Sequence, residues 1–287
     1  VEISTDSDEN VRSCSDVRIR FGRRDAARAE QALTSAGPRG PLVLKLDRNW
    51  GAWFYGGDRR DWSVIACKAA EQPETLAQVS VSFDRGDLAA HGPAGASDRW
   101  LIFYIIQVPR DAEIDAETSD GPLSFDGVVG RLKARGHNGP IAFHACSGSI
   151  DARVENGPIS LDGVSGEVSA QADNGPISIS GGSGNIQAKA SNGPISVRLS
   201  GDTWRDGRLE ARSQNGPLSL KIPENYRSHA VVESAGRSPF QCRAAACGTA
   251  RKSWDDDDRR VEFGEGNTVV QLSTVNGPVS IDSTRAE

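Results

Sequence analysis

From residue 121 to residue 197 the chain alternates apolar and polar positions with unusual regularity. Gly121, Gly130, Gly139, Gly148, Gly157, Gly166, Gly175, Gly184 and Gly193 stand nine residues apart, and apolar residues follow two and four places after each. Ile159 and Leu161, Val168 and Ala170, Ile177 and Ile179 are examples. Period two means a strand with one buried face, so each nonamer reads as a strand of about five residues plus a turn. After five extra residues the register resumes at Gly207 and Gly216.

Two kinds of nonamer alternate, which makes the true period eighteen. One reads Asn-Gly-Pro-Ile-Ser and occurs at Asn138, Asn156, Asn174, Asn192 and Asn215, with an Asp variant at Asp120 and a last copy at Asn276. The other reads Gly-x-Val/Ile/Leu-x-Ala, as in Gly166–Ala170. A repeat of this length signals a stacked architecture. Asn-Gly between alternating apolar residues is also a hairpin signal, which would give an antiparallel meander. However, Pro140, Pro158, Pro176, Pro194 and Pro217 follow the glycines, and proline lacks the N–H that a two-residue hairpin needs. The expected fold is therefore all-β, a parallel β-solenoid (β-helix) with two short strands per eighteen-residue coil. In it the Asn residues form a corner ladder bonded to neighbouring backbone, and Gly139, Gly157, Gly175, Gly193 and Gly216 supply the positive φ of a tight corner.

Outside the repeat the pattern loosens. Residues 1–13 read as a mobile polar arm, although Val1–Thr5 has the composition of a strand. Residues 14–111 read as irregular N-terminal β coils, with a separate small β domain as the alternative. Strands are expected at Val17–Phe21, Leu42–Leu46, Trp62–Cys67, Val79–Phe83 and Trp100–Val108, and Ala-rich Asp25–Leu33 is expected to form a short helix. Residues 112–222 are the regular solenoid, 223–260 an irregular segment with an acidic loop, and 261–287 a closing coil.

Composition narrows the function classes. The net charge of −6 has no single-sign half, so nothing suggests nucleic acid. The longest apolar run, Trp100–Val108, is far short of the ~20 residues of a transmembrane helix. The chain starts at Val1 and contains no Met, so it reads as a mature or trimmed product, extracellular or at the cell surface, with the periplasm as an alternative. Of five cysteines, Cys146 takes a turn position that Val128 and Val164 fill elsewhere and is expected as a buried apolar residue. Cys242 and Cys247 are close enough in sequence to pair, and Cys14 with Cys67 is the second candidate pair.

The repeats Asn-Gly-Pro-Ile-Ser and Val-Ser-Gly-Glu-Val-Ser-Ala resemble the bacterial putative-adhesin β-solenoid domain family. The likeness covers 112–222 and 268–282, and more loosely 12–110 through Cys14, Trp50–Tyr55 and Ala66–Lys68. It implies a secreted or cell-surface module, and no catalytic residue or cofactor to carry over.

Candidate chemistry is sparse. His137 and His144 flank the Gly139 corner and are expected as solvated turn residues rather than metal ligands. Gly181–Ile186 is similar to a calcium-binding nonapeptide, but Asn185 replaces the required Asp. Asp255–Asp258 could hold a hard cation, and a solvated loop is the expectation. No metal site or cofactor is expected. Arg135, Arg153, Gln171, Lys189 and Arg212 recur at one outward position, sharing a face with Asp151, Glu167 and Glu210. On the opposite sheet the outward row is Ser124, Ala142, Ser160, Ser178, Ser196 and Ser219. Trp50, Trp53 and Tyr55 are either a glycan-stacking platform or packing groups. The function expected is a non-enzymatic structural or adhesin-like module. With Val279–Ile281 as an uncovered last coil, copies would associate through the solenoid ends into a homo-oligomer or head-to-tail filament. The alternative is a monomeric surface solenoid that binds, or less readily cleaves, surface glycans.

Overall fold

The structure is a computed structural model. It describes residues 2–5, 11–35, 40–46, 50–84, 86–93, 99–236, 238–255 and 258–284. The fold is all-β with long parallel sheets, and the chain divides into two compact units, Val1–Lys133 and Ala134–Glu287.

In the first unit, Gly51–Gly57 lies between Trp100–Pro109 and Leu123–Asp126, parallel to both. Trp62–Ala70 runs antiparallel to Trp100–Pro109 on one side and to Ala27–Ser35 on the other. A second sheet pairs Leu42–Leu46 in parallel with Ile114–Thr118. The helix expected at Asp25–Leu33 is instead the strand Ala27–Ser35. Its half-buried and exposed residues alternate along its whole length, and nine ladder pairs to Trp62–Ala70 override the helical preference of alanine.

The run Trp100–Val108 is buried on both faces. A small antiparallel sheet of Glu2–Thr5, Val17–Phe21 and Arg24–Asp25 explains the second face. Val17 and Ile19 pack with Leu101, Phe103, Ile105, Tyr55, Cys67 and Ala69. A strand covered on both sides loses its polar alternation. Part of the expected mobile arm is thus a paired strand, while residues 6–10 lie outside the described residues. A disulfide between Cys14 and Cys67 ties the cover to the strand beneath it.

In the second unit, consecutive strands alternate between two sheets. One contains Ile141–His144, Ile159–Asp162, Ile177–Ser180 and Ile195–Arg198, each parallel to the next and displaced by eighteen residues, as in Ile159↔Ile177. The other contains Ser147–Val154, Ser165–Ala172 and Asn185–Ala190, again eighteen apart, as in Val168↔Ile186. Leu209–Ser213 and Leu218–Ile222 continue the sheets after the five-residue insertion, with Ile186 opposite Leu209 and Ile195 opposite Leu218. Trp204 anchors that insertion by donating its indole N–H to the Gly184 carbonyl at 3.0 Å. Inward residues such as Ile159, Leu161, Val168 and Ala170 are buried, and with their equivalents form the core.

The corners differ from expectation in two ways. The Asn ladder bonds side chain to side chain: the Asn156, Asn174 and Asn192 carboxamides each donate to the Asn one coil earlier at 3.0–3.1 Å, Asn215 donates to Asn192 at 3.0 Å, and Asn276 to Asn215 at 2.9 Å. Stacked identical amides satisfy one another along the stack. The Gly after each Asn is not in the positive-φ region; that conformation belongs to the alternate glycines, such as Gly166 and Gly184. Gly175 is required by crowding, because a Cβ there would sit 2.0 Å from the Gly157 carbonyl oxygen. The prolines serve as acceptors: Ile159 N–H donates to Pro176 O at 2.9 Å and Ile177 N–H to Pro194 O at 3.0 Å.

The last coil is not the outermost one. Glu265–Thr274 and Val279–Ser283 stack on Leu209–Ser213 and Leu218–Ile222, sixty-one residues away in sequence. Phe240–Cys242 lies outside Val279–Ser283, and Ser228–Ala235 outside Glu265–Thr274. Asp258–Phe263 and Arg251–Trp254 then extend that sheet antiparallel. The described strands of the segment expected to be irregular therefore form a cap. The Cys242–Cys247 disulfide closes it locally, and Arg251 and Lys252 on the exposed edge strand disfavour further strand pairing.

Candidate functional site

The outward face of the second unit's sheet that contains Ser147–Val154, Ser165–Ala172 and Asn185–Ala190 carries shallow surface grooves. Register fixes its rows. Ser149, Glu167 and Asn185 lie side by side, as do Asp151, Ser169, Gln187 and Glu210, and Arg153, Gln171, Lys189 and Arg212. A shallow groove of about 500 Å³ is lined by the first two rows together with Arg153 and Arg208, while Gln171, Lys189 and Arg212 lie outside it. A second, about 450 Å³, begins at the same Glu210 and continues over Arg212, Gln271, Ser273 and Glu233. The floor repeats because each coil contributes the same outward positions.

Charge is partly spent within the groove. Arg153 Nε lies 3.1 Å from Asp151, and the Asn185 carboxamide donates to Glu167 at 2.7 Å. Asn185 Oδ1 also accepts the Arg208 backbone N–H at 3.1 Å. Lys189, Arg208, Arg212 and Glu210 make no side-chain ion pair among the described residues. At the far end Arg260 bridges Glu233 and Glu262. The Arg260 hydrogen bond holds the Glu262 carboxyl below its ordinary range. Arg208 and Asn185 were not singled out by the sequence pattern. Asn185 was weighed only as a failed calcium ligand, and Arg208 sits in the insertion that interrupts the repeat.

On the other sheet Ala142, Ser160, Ser178, Ser196, Ser219 and Ser280 stand in one row. Ser178 and Ser160 hydroxyls approach to 3.3 Å. Ser124 lies in the first unit, opposite Trp53. Stacking also gives the corner histidines partners eighteen residues away: His137 Nδ1 is 2.6 Å from Glu155, and His144 Nε2 is 3.6 Å from Asp162. Writing the sequence in rows of eighteen would have revealed both. Among the described residues no set of three or more His, Cys, Asp or Glu side chains is arranged to hold a metal; Asp256 and Asp257 of the acidic run lie outside them.

Trp50, Trp53 and Tyr55 belong to the first unit's core. Trp50 and Trp53 are half-buried against the cluster under the small sheet, and Tyr55 is 7% exposed. Trp50 meets Trp100 at 5.1 Å, and Trp53 meets Phe103 at 6.4 Å between ring centroids. Cys146 is buried and unpaired to another cysteine.

The chain's three tyrosines are all buried. Burial pushes Tyr55 and Tyr226 up to about 12 and raises Tyr104 as well. An unfolded tyrosine titrates near 10, so between about pH 10 and 12 the unfolded chain sheds protons that the folded chain keeps. Stability is therefore unaffected by these groups below pH 10 and falls as pH rises through that window. A spectrophotometric titration should show no tyrosinate until circular dichroism reports unfolding; ionisation near pH 10 with unchanged dichroism would contradict this.

No protein-family model matches the chain, and no curated protein matches it. Among solved structures, a putative adhesin from Bacteroides fragilis NCTC 9343 aligns with 90% of this chain and 97% of its own at 9% identity and a TM-score of 0.38. A putative cell adhesion protein from Clostridium sporogenes ATCC 15579 aligns with 90% of this chain and all of its own length at 12% identity and a TM-score of 0.21. The first carries the adhesin description that the repeats led us to expect, and the second is described as a cell adhesion protein. No helix among the described residues is long and apolar enough to cross a membrane.

Proposed function

We propose that the chain is a non-enzymatic, adhesin-like binding module of the cell surface or extracellular space. In this reading its second unit is a parallel β-solenoid with two strands per eighteen-residue coil. The observation that carries the proposal is the in-register repetition of outward polar positions over successive strands. Such a surface presents polar side chains at a regular spacing of about 4.8 Å on a backbone that hydrogen-bonds along the stack, which suits recognition of a repetitive partner. Two disulfides support an oxidising compartment. The groove carboxylates Asp151 and Glu167 are engaged by Arg153 and Asn185, and this favours a binding role for them over acid–base work.

A single copy is the working form in this proposal. Head-to-tail addition needs a free donor strand and an open last coil, but Glu2–Thr5 pairs with Val17–Phe21 of the same chain and Phe240–Cys242 covers Val279–Ser283. Light scattering over a wide concentration series should report a monomer throughout, whereas filaments in negative stain would contradict the single-copy form. The binding role is tested by saturable retention of the fluorescently labelled chain on intact bacterial cells. Absence of saturable retention would remove it.

A further inference from the structure

We propose that Asn276–Gly277 is a site of spontaneous deamidation, and that modification there spreads coil by coil toward Asn138 along the amide ladder.

The chain carries six Asn-Gly-Pro corners, at Asn138, Asn156, Asn174, Asn192, Asn215 and Asn276. Asn is a chemically labile residue, and the glycine after it offers a backbone nitrogen with no Cβ to hinder approach. The step is a ring closure. The glycine amide nitrogen, its proton lost to solvent base, attacks the Asn Cγ. A new C–N bond forms, the C–N bond of the carboxamide breaks, and ammonia leaves with a proton from water. Water then opens the resulting succinimide at either carbonyl and leaves aspartate or isoaspartate.

The ladder opposes this step, because each Asn side chain must leave the stack to reach its own backbone. An interior carboxamide gives up two amide–amide bonds in doing so: Asn192 donates to Asn174 and accepts from Asn215. Asn276 gives up one. It donates to Asn215 at 2.9 Å, and no described protein group donates to its own side-chain oxygen. Asn276 is exposed, and among the described residues nothing accepts the Gly277 N–H. The corner beyond it is open as well. A Cβ on Gly277 would strike the Gly216 carbonyl oxygen at 2.0 Å, whereas one on Gly236 of the cap, two residues past the Ser234–Thr274 pair, meets nothing within 4 Å. Asn138, at the other end, accepts from Asn156 and is itself further engaged.

The direction of the bonds gives the reaction a direction. A carboxylate accepts but cannot donate. Conversion of Asn276 therefore removes the donor to Asn215 Oδ1 and sets a negative oxygen against it, so Asn215 becomes the one-bond end of a shorter ladder. Conversion of Asn138 would leave the bond from Asn156 in place.

The test ages the full chain in mildly alkaline buffer and follows isoaspartate at each corner by peptide mass spectrometry, with circular dichroism to confirm that the fold persists. Asn276 should react first, about fivefold faster than an interior Asn, and Asn215 second. In urea the ladder is gone, and the corners, which share one Asn-Gly-Pro sequence, should react at rates within about twofold of one another. Asn276→Asp should speed modification of Asn215 by about fivefold, while Asn138→Asp should leave the rate at Asn156 within about twofold of wild type. First reaction at Asn138 or at an interior corner, persistence of the Asn276 preference in urea, or an unchanged Asn215 rate in Asn276→Asp would each overturn the proposal. So would a folded chain that stays unmodified while the chain in urea reacts. The wild-type order is a test in its own right, whether or not either variant folds.

Discussion

Replacing Gly175 with alanine is expected to destabilise the second unit by about 3 kcal/mol or more, although only one methyl group is added. The new Cβ would lie 2.0 Å from the Gly157 carbonyl oxygen and 2.6 Å from its carbon. Both are backbone atoms of the coil below, so no rotamer change can relieve the contact. Relief requires the coils to separate, which strains the bonds on either side, including Ile159 N–H to Pro176 O and the Asn174–Asn156 amide pair. The same substitution at Gly248 meets nothing within 4 Å and is expected to change stability by less than about 0.5 kcal/mol. Urea unfolding of the two variants checks the pair. Equal stabilities would mean that the coils do not stack at the distance described.

Removing the Cys14–Cys67 disulfide should cost about 4 kcal/mol, because the bridge closes a 53-residue separation and the chain-entropy gain rises with loop length. The bridge also fastens the small sheet over Leu101, Phe103 and Ile105. The Cys14→Ala/Cys67→Ala variant is therefore expected to unfold at lower denaturant and to expose Trp50 and Trp53 to aqueous quenchers. The Cys242–Cys247 bridge spans five residues, and its removal should cost only about 2 kcal/mol. Parallel denaturation of both double variants measures the order. A larger loss from the short bridge would contradict the assigned role of the long one.

Much of the second unit was legible because its structure is local in sequence. The eighteen-residue displacement, the inward Ile, Val and Ala positions and the Asn corner all follow from a period that repeats in the letters themselves. What failed was whatever depended on contacts without a period. The cap was missed because chain order and stacking order part company after Ile222: the next strand in space is Val279–Ser283, with Phe240–Cys242 outside it and Ser228–Ala235 outside Glu265–Thr274. Asp25–Leu33 looked helical because it is Ala-rich, yet the strand Ala27–Ser35 that forms there alternates with period two. The double burial of Trp100–Pro109 could not be read without the small sheet that covers it.

The candidate site was legible in part. The row Arg153, Gln171, Lys189 and Arg212 was visible as a recurring outward position. Its pairing state was not, since Arg153 turns to Asp151 while Lys189 and Arg212 are left facing each other. The aromatic cluster was ambiguous for a physical reason. Trp and Tyr serve glycan platforms and cores equally well, and only packing against Phe103 and Trp100 places them inside.

The central claim is that the repeat winds as parallel coils rather than folding as a meander. Distances between paired nitroxide labels test it most directly. Ser160 and Ser178 are neighbours in one sheet, while Ser169 faces outward on the other. Coils predict strong dipolar broadening for labels at Ser160 and Ser178, at about 5 Å backbone spacing. They also predict a separation beyond about 20 Å for labels at Ser160 and Ser169, on opposite outer faces of sheets about 10 Å apart. A short distance between Ser160 and Ser169, as adjacent strands of one sheet would give, would contradict the account.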